Sequence, residues 1–198
     1  IEITHPDKLM FPELELTKMD VVAFYQKISD YLLPFLKDRP MMLHRYPKGI
    51  DESGFYQKQE PDYFPDWINT ITVDVKKEGE GKQKFVNCDS EATLIYCTNQ
   101  GSVTPHIWLS KKDNLRHSDK MIFDLDPPEG EFEVVRDCAH DFRKLFDEME
   151  MTAFVMTTGS KGLHIVLPLD RKAKFDQVRE FARDLANLLA NRNPEKYT

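Results

Sequence analysis

The stretch Lys120-Met-Ile-Phe-Asp-Leu-Asp-Pro-Pro128 decides how the second half of this chain folds and what chemistry it carries. Residues 121–125 are apolar and β-branched enough to predict a buried strand, which the two following prolines end. Side chains alternate faces along a strand, so Asp124 and Asp126 project the same way while Leu125 points into the core. Two neighbouring carboxylates repel each other unless a cation neutralises them. The pair therefore predicts a site for a hard divalent ion such as Mg²⁺ or Mn²⁺ at the mouth of the strand, with a plain solvated strand end as the alternative.

A second motif lies downstream, in Thr157-Thr-Gly-Ser-Lys-Gly-Leu-His-Ile-Val-Leu-Pro-Leu169. Residues 152–158 and 163–167 have the composition of two strands, and the turn at 159–162 connects them. Glycines at both corners of this turn let the backbone approach a ligand closely, and its amides could form a concave anion site. The pattern predicts a hairpin that binds phosphate, with a plain solvated turn as the alternative.

The side chains of this hairpin suit the same ligand. Ser160 offers a hydroxyl, Lys161 a positive charge, and His164 an imidazole that can donate to a phosphate oxygen. The chain contains no G-x-x-x-x-G-K-S/T sequence, which excludes a Walker-type loop. Metal-binding carboxylates beside a phosphate-binding hairpin indicate nucleotidyl transfer by metal-assisted displacement.

Composition limits the remaining possibilities. The chain has 198 residues, of which 40% are hydrophobic and 31% charged, as in ordinary globular proteins. It shows neither a transmembrane run nor a secretory leader, so we expect a cytoplasmic protein without a membrane partner. Three scattered cysteines without a C-x-x-C pair predict reduced thiols. The net charge of −7 argues against indiscriminate coating of nucleic acid and leaves room for a localised DNA groove.

Two lobes are predicted, over 1–119 and 120–198. In the first, Thr17 and Asp20 form a capping box that opens a helix. The apolar face of this helix would be Val21, Phe24, Ile28, Tyr31 or Leu32, and Phe35. Strands are predicted at 41–46, 54–58, 71–75 and 92–97, with a solvated hairpin tip at 76–84.

For the second lobe the sequence predicts a strand (120–125), a helix (about 133–150), a strand pair (152–168) and a second helix (about 174–191). Two apolar stripes define the packing faces of these helices: Val135, Cys138, Phe142, Leu145 and Met149 on the first, and Phe175, Val178, Ala182, Leu185 and Leu189 on the second. This order predicts an α+β fold, with a split βαβ sheet that carries its helices on one side.

Together these residues resemble a known family, the primase-type polymerase domain that accompanies bacterial and archaeal DNA ligase D in non-homologous end joining. The resemblance rests on Asp-Leu-Asp-Pro-Pro and Gly-Ser-Lys-Gly-Leu-His, and it extends over nearly the whole chain. Its other segments are Thr4-His-Pro-Asp-Lys-Leu-Met-Phe-Pro12, Thr17-Lys18-x-Asp20, Phe24-Tyr25, Arg45-Tyr-Pro-x-Gly49, Phe55-Tyr-Gln-Lys58, Pro65-Asp-Trp67 and Pro105-His106. It implies a primase-polymerase fold, in which an N-terminal α/β lobe packs on an RRM-like catalytic sheet.

The resemblance also implies roles for particular residues. Asp124 and Asp126 would hold two catalytic metal ions, Mn²⁺ or Mg²⁺. Lys8 and Lys18 would receive the 5′-phosphate at a DNA break. The incoming nucleoside triphosphate would contact His106, Ser160, Lys161, Gly162 and His164, and template bases would stack on Phe55 and Tyr56. The implied partners are DNA double-strand-break ends, nucleoside triphosphates, Ku and a DNA ligase.

In one respect the chain departs from the family pattern, which completes the metal site with a third aspartate on a later strand. That segment would lie beyond Thr198, so the sequence predicts a domain whose C-terminal part is missing.

Three functions remain open from the sequence. The first is a template-dependent nucleotidyltransferase that fills or extends DNA ends and prefers ribonucleotides, as the resemblance implies. The second is a non-catalytic module that binds and bridges DNA ends through a 5′-phosphate pocket. The third, a Mn²⁺-dependent D-x-D glycosyltransferase, is disfavoured because it would need neither the Gly-Ser-Lys-Gly-Leu-His hairpin nor a DNA-facing Phe-Tyr-Gln-Lys strand.

Overall fold

A computed structural model of the chain describes residues 1–75, 81–127 and 131–197. The chain divides into two compact units, Ile1–Asp113 and Asn114–Thr198, and each contains its own cluster of buried apolar side chains. The sequence placed this division at 119/120. The predicted hairpin tip at 76–84 lies partly outside the described residues, and so does Pro128, the second of the prolines that were expected to end the carboxylate strand.

The described residues of the first unit form two α-helices, a short 3-10 helix (Pro12–Leu14) and seven strands. In chain order the α-helices and strands are β1 (Leu9–Phe11), β2 (Leu16–Thr17), α1 (Lys18–Leu36), β3 (Met41–Arg45), β4 (Phe55–Gln57), β5 (Thr70–Val75), β6 (Gly81–Val86), α2 (Glu91–Asn99) and β7 (Ser102–Ile107). Strands β1 and β2 form a separate antiparallel ribbon. The main sheet has the order β4-β3-β6-β5, and β7 also pairs with β3.

Helix α1 begins with the predicted capping box. The Thr17 side chain accepts from the Asp20 amide, and the Asp20 carboxylate accepts from the Thr17 amide. The predicted apolar face is wrong in part, because Phe24, Tyr31 and Phe35 are exposed. Val21 is buried as predicted, and Ile28 and Leu32 are partly buried against the core. The other buried residues of the helix are Lys18, Val22, Tyr25, Ser29 and Leu36.

Residues 92–97 were predicted as a strand, and this prediction is wrong. They belong to helix α2, whose N-cap residue Ser90 accepts from the amide of Thr93. Both faces of this short helix are buried in the first core, through Leu94, Ile95 and Cys97 among others. A short segment that is buried all round carries no helical periodicity, so its β-branched and aromatic residues resembled a buried strand.

The second unit contains β8 (Lys120–Leu125), α3 (Phe132–Glu148), β9 (Phe154–Thr157), β10 (Leu163–Pro168) and α4 (Phe175–Arg192), as the sequence predicted. Its sheet has the order β8-β10-β9, with both pairs antiparallel. Strand β10 therefore lies centrally, and its register places His164 opposite Asp124 on β8.

The two helices of this unit pack largely as expected. Val135, Phe142 and Leu145 of α3 are buried, whereas the predicted Met149 is exposed, and Ala139 and Phe146 belong to the core instead. Of the α4 stripe, Leu185 and Leu189 are buried, while Phe175 is exposed. In the part of the chain that the structure describes, no helix is both long enough and apolar enough to cross a membrane.

Candidate active site and DNA-end site

The two carboxylates lie at the end of β8, as the sequence predicted. Asp124 is the penultimate residue of the strand and Asp126 directly follows it, and both are exposed. Met121 and Phe123, which alternate with them in direction, are buried in the core of the second unit. Burial of these two residues fixes the register of the strand and holds the carboxylates on the opposite, solvent-facing side.

His164 orients one of these carboxylates. Its Nε2 lies 3.1 Å from Asp124 Oδ1. A carboxylate can only accept, so Nε2 carries a hydrogen and donates it. The other ring nitrogen, Nδ1, is buried and has no hydrogen-bond partner among the described residues. The sequence predicted that His164 would donate to a phosphate; in the structure its Nε2 contacts Asp124.

The hairpin between β9 and β10 closes directly against the carboxylate strand. A Cβ atom placed on Gly162 would lie 2.4 Å from the Leu125 carbonyl oxygen and 3.0 Å from Asp126 Oδ1. Only glycine permits this approach, since Cβ contacts under 3 Å require something to shift. The hairpin and the two carboxylates therefore form one local structure.

Thr158 organises the turn of this hairpin. Its hydroxyl accepts from the amides of Ser160 (3.3 Å) and Gly162 (3.2 Å) and donates to the Gly162 carbonyl (3.1 Å). Gly159 adopts φ +81°, in the left-handed region. Two turn amides are thus engaged within the turn, so a phosphate would rely chiefly on the exposed side chains of Ser160 and Lys161.

The donors at this site suit a hard divalent cation. Asp124 and Asp126 supply carboxylate oxygens, the ligands that Mg²⁺ and Mn²⁺ prefer. Within the described ranges no three His, Cys, Asp or Glu side chains come together as a metal-binding group. The two carboxylates therefore fit a cation whose remaining positions are filled by water and by the oxygens of a phosphate ligand.

A separate cavity in the first unit brings Lys8 and Lys18 together. It encloses about 260 Å³, and its other lining residues are Thr4, His5, Met10, Arg45, Tyr46, Pro47, Asn99, Gln100 and Gly101. Three of the lining side chains, those of Lys8, Lys18 and Arg45, are cations, and no carboxylate is among the described lining residues. In a chain of net charge −7, this is a local concentration of positive charge suited to an anion.

Lys18 is the most buried of the three cations. It is only 7% exposed, and its Nζ donates to the carbonyls of Thr4 (2.6 Å) and Asn99 (3.2 Å). Burial, and secondarily the nearby charge of Lys8, lower the pKa of Lys18 below its usual 10.5. A desolvated ammonium held only by neutral acceptors gains most from an incoming anion. Lys8 Nζ likewise donates to a neutral acceptor, the Pro47 carbonyl.

Phe55 and Tyr56 lie side by side on the edge strand β4, and both rings are exposed, 47% and 54% respectively. They project from opposite faces of the strand. Tyr56 stacks on His44, with ring centroids 4.1 Å apart and planes at 15°. The Phe55 ring lies below the guanidinium of Arg45, whose Cζ is 5.4 Å from the ring centroid. Both aromatics thus remain available for stacking.

His106, on β7, belongs to the Tyr56 side of this sheet. Its ring meets Tyr56 edge-on at 5.2 Å and His44 at 5.7 Å. Burial and the neighbouring His44 lower the pKa of His106 below its usual 6.5, and its Nε2 is buried without a hydrogen-bond partner in the described part of the chain. His106 belongs to the first unit, whereas the other predicted nucleotide contacts belong to the second.

Sequence reasoning missed the contributions of Arg45, His44 and Thr158. A signal existed for Thr158, because a threonine before a glycine turn often bonds amides two residues on. Arg45 opens one segment of the family resemblance, but no role was predicted for it or for His44, because their partners come from other strands and from the loop after α2.

Comparisons with known proteins give a consistent result. A family model described as LigD, primase-polymerase domain, matches residues 17–198. The bifunctional non-homologous end joining protein LigD of Bacillus subtilis is 30% identical over the whole chain, and the multifunctional LigD of Pseudomonas aeruginosa is also 30% identical over the whole chain. The chain spans only 31% and 23% of the lengths of these two relatives.

The fold also matches a solved structure, the polymerase domain from Mycobacterium tuberculosis ligase D in complex with DNA. The TM-score is 0.89 at 27% identity, over 98% of this chain and 70% of that one. This match confirms the α+β fold that the sequence predicted.

Proposed function

Because the chain belongs to the LigD primase-polymerase domain family, we propose that it is a DNA-dependent nucleotidyltransferase that fills or extends DNA ends in non-homologous end joining. The reaction would be attack of a primer 3′-hydroxyl on the α-phosphate of a nucleoside triphosphate, with release of pyrophosphate. A preference for ribonucleotides, and partnership with Ku and a DNA ligase, belong to this proposal through the family resemblance.

One observation carries the transferase proposal: the exposed carboxylates of β8 and the Ser160–Lys161 hairpin form a single local structure. Gly162 lies against Leu125 and Asp126, and His164 bonds Asp124. A plain solvated turn would need neither contact. Nucleotidyl transfer needs both parts together, because the carboxylates and the phosphate-binding groups must act on the same triphosphate.

Each residue then has a distinct task. Asp124 and Asp126 would hold Mn²⁺ or Mg²⁺, with two ions expected. Such ions, when bound, lower the pKa of the attacking hydroxyl and neutralise charge on the leaving group. His164 fixes the orientation of the Asp124 carboxylate, as groups behind metal ligands commonly do. Ser160 and Lys161 bind phosphate oxygens, and Gly162 provides the close approach. His106 remains a proposed nucleotide contact through the family resemblance.

DNA ends would be recognised in the first unit. The cavity of Lys8, Lys18 and Arg45 would accept a terminal 5′-phosphate, whose charge offsets that of the three cations. Phe55 and Tyr56 would stack on template bases near the break, with each stack contributing about 1–3 kcal/mol.

A non-catalytic DNA-end binding module is the second candidate function. It is favoured by the location of the cation cavity, whose lining residues all belong to the first unit, which has its own core. Such a module would bind and bridge phosphorylated ends without transferring a nucleotide.

Replacement of the carboxylates separates the two candidates. Asp124→Asn and Asp126→Asn should each abolish nucleotide addition to a primed template in Mn²⁺, while affinity for the duplex stays within about two-fold of the unaltered chain. Asp184→Asn, an exposed carboxylate on α4, is the matched control and should retain activity. Substantial activity in either active-site variant would contradict the carboxylate assignment. Tight end binding without any addition by the unaltered chain would favour the second candidate.

A further inference from the structure

Arg45 lies between two features that the proposed function uses separately. Its side chain lines the cavity that contains Lys8 and Lys18. Its guanidinium carbon also lies 5.4 Å from the centroid of the exposed Phe55 ring. Arg45 therefore adjoins the cavity of Lys8 and Lys18 on one side and the exposed Phe55 ring, a candidate base-stacking surface, on the other.

Neutral groups hold the Arg45 guanidinium in place. Nε donates to the Gln100 carbonyl (2.8 Å), and Nη2 lies 3.4 Å from the Gln100 amide oxygen. Nη1 donates to Gln57 Oε1 (2.5 Å) and to the Tyr63 hydroxyl (2.6 Å). Among the residues that the structure describes, no carboxylate forms an ion pair with it. The charge is fixed in direction and still open to an anion.

We propose that Arg45 couples recognition of a 5′-phosphate to the stacking of a base on Phe55, so that the two are one binding event. This inference rests on the proposed recognition of DNA ends. A phosphate in the cavity would add a charged partner to a guanidinium that neutral groups already place against the ring, and would hold it there more firmly. An immobilised cation would in turn hold the Phe55 ring in place, and the base would then stack on a surface that is already ordered.

The coupling selects a particular ligand, a nucleic-acid end that presents a 5′-phosphate together with an unpaired base beside it. A phosphorylated blunt end would bind its phosphate in the cavity but offer no unpaired base to Phe55. An unphosphorylated overhang would stack a base on Phe55 but leave the cavity without a phosphate. Arg45 is thus a specificity-determining residue that favours recessed, phosphorylated ends.

Tyr56 is a control built into the same strand. It neighbours Phe55 in sequence and is similarly exposed, but it stacks on His44 on the opposite face. Loss of the Tyr56 ring should therefore weaken binding to phosphorylated and unphosphorylated ends by the same factor, whereas loss of the Phe55 ring should not.

The test is a double-mutant cycle measured by fluorescence anisotropy on a recessed duplex with a 5′-phosphate or a 5′-hydroxyl. Phe55→Leu should weaken binding of the phosphorylated end by about five-fold more than binding of the hydroxyl end. Tyr56→Leu should show no such difference. In an Arg45→Lys background, which keeps the charge but loses the planar group, the extra loss caused by Phe55→Leu should disappear.

The outcomes distinguish the inference from the function on which it rests. If Phe55→Leu weakens both ends equally in the unaltered background, Arg45 does not couple them and the inference alone is overturned. If the unaltered chain shows no preference for the 5′-phosphate, the proposed end recognition fails and the inference fails with it. Melting temperatures would check that each variant is folded, and Arg45→Lys avoids the larger cavity that truncation would leave.

Discussion

Gly162 is the residue at which the hairpin and the carboxylate strand come closest. In Gly162→Ala the new Cβ would lie 2.4 Å from the Leu125 carbonyl oxygen, a backbone atom that cannot rotate away. The hairpin must then move away from Asp126. Displacements of about 1 Å near a reacting centre cost on the order of a hundred-fold in rate, so kcat/KM for nucleotide addition should fall steeply.

Gly159 provides the comparison. A Cβ there would meet no described atom within 4 Å, but φ is +81°. Gly159→Ala should therefore cost about 1–2 kcal/mol of unfolding free energy through backbone strain and leave kcat/KM within a few-fold of normal. Equal losses of activity in the two alanine variants would show that the contact between Gly162 and the carboxylate strand is irrelevant to the reaction.

Lys18 gives end binding a defined pH dependence. Burial, then the charge of Lys8, lower its pKa below 10.5, so the unliganded side chain loses its proton at a lower pH than an ordinary lysine. Phosphate favours the charged form. The preference for a 5′-phosphate should therefore be complete at neutral pH and decline as the pH rises through the lowered pKa of Lys18.

The conservative variant Lys18→Arg tests this assignment, because guanidinium stays charged to well above about pH 12. Its preference for phosphorylated duplex, measured by anisotropy, should persist to a higher pH than that of the unaltered chain. Lys27→Ala, an exposed lysine on the same helix, should behave as the unaltered chain does. Identical pH profiles for the unaltered chain and Lys18→Arg would mean that Lys18 does not contact the phosphate.

At the scale of elements, helix α3 is tied to the segment after α4 through Asp141. This carboxylate accepts from Lys144 Nζ (3.0 Å), Lys196 Nζ (3.3 Å) and the Tyr197 hydroxyl (3.0 Å). Burial alone would raise the pKa of Asp141, but the hydrogen bonds from Lys144, Tyr197 and Lys196 outweigh it and lower the pKa below 3.8. The segment is thus anchored by an ionised carboxylate.

Asp141→Asn should lower the unfolding free energy by about 1–2 kcal/mol, chiefly through the Tyr197 contact, because both lysines are exposed. Since the folded-state pKa is depressed, this contribution is present above about pH 4 and is lost as the pH falls through the lowered value. Urea denaturation at several pH values measures it, with Asp137→Asn on the same helix as the control. A difference between the unaltered chain and Asp141→Asn that is independent of pH would contradict the assignment.

Sequence reasoning succeeded at this scale where periodicity and local signals agree. The order of elements in the second unit follows from amphipathic stripes bounded by turns, and the capping box of α1 follows from Thr17 and Asp20. It failed where periodicity is weak. Helix α2 is short and buried all round, and on α1 large aromatics occupy solvent-facing positions while a buried lysine and serine take their place.

The residues of the candidate sites also divide into those that a local sequence pattern predicts and those that only the tertiary structure reveals. Asp124 and Asp126 could be predicted together because they are two residues apart on one strand, and alternation determines their direction. The pairing of His164 with Asp124 depends on the register between β8 and β10, which a single strand does not reveal. The cavity around Lys18 draws on residues from Thr4 to Gly101, so no local pattern could have identified Arg45 or Asn99 as members.

At the scale of the whole molecule, the residues for the two proposed capacities, nucleotide transfer and DNA-end binding, belong to different units of one chain. The carboxylates and hairpin belong to the second unit, and the cation cavity and exposed aromatics belong to the first. Acidic residues outnumber basic ones by 34 to 27, so positive charge is available to DNA only where the fold concentrates it. The central claim is that both capacities serve one reaction, nucleotide addition directed to a broken, phosphorylated end.

The most direct test is single-turnover addition of one nucleotide, in Mn²⁺, across a one-nucleotide gap whose downstream strand carries either a 5′-phosphate or a 5′-hydroxyl. Addition at subsaturating DNA should be faster with the phosphate, and the advantage should shrink at high salt because exposed charges are screened. It should vanish in Lys8→Ala plus Lys18→Met while slow addition persists. Equal rates on the two substrates with the unaltered chain would contradict the account.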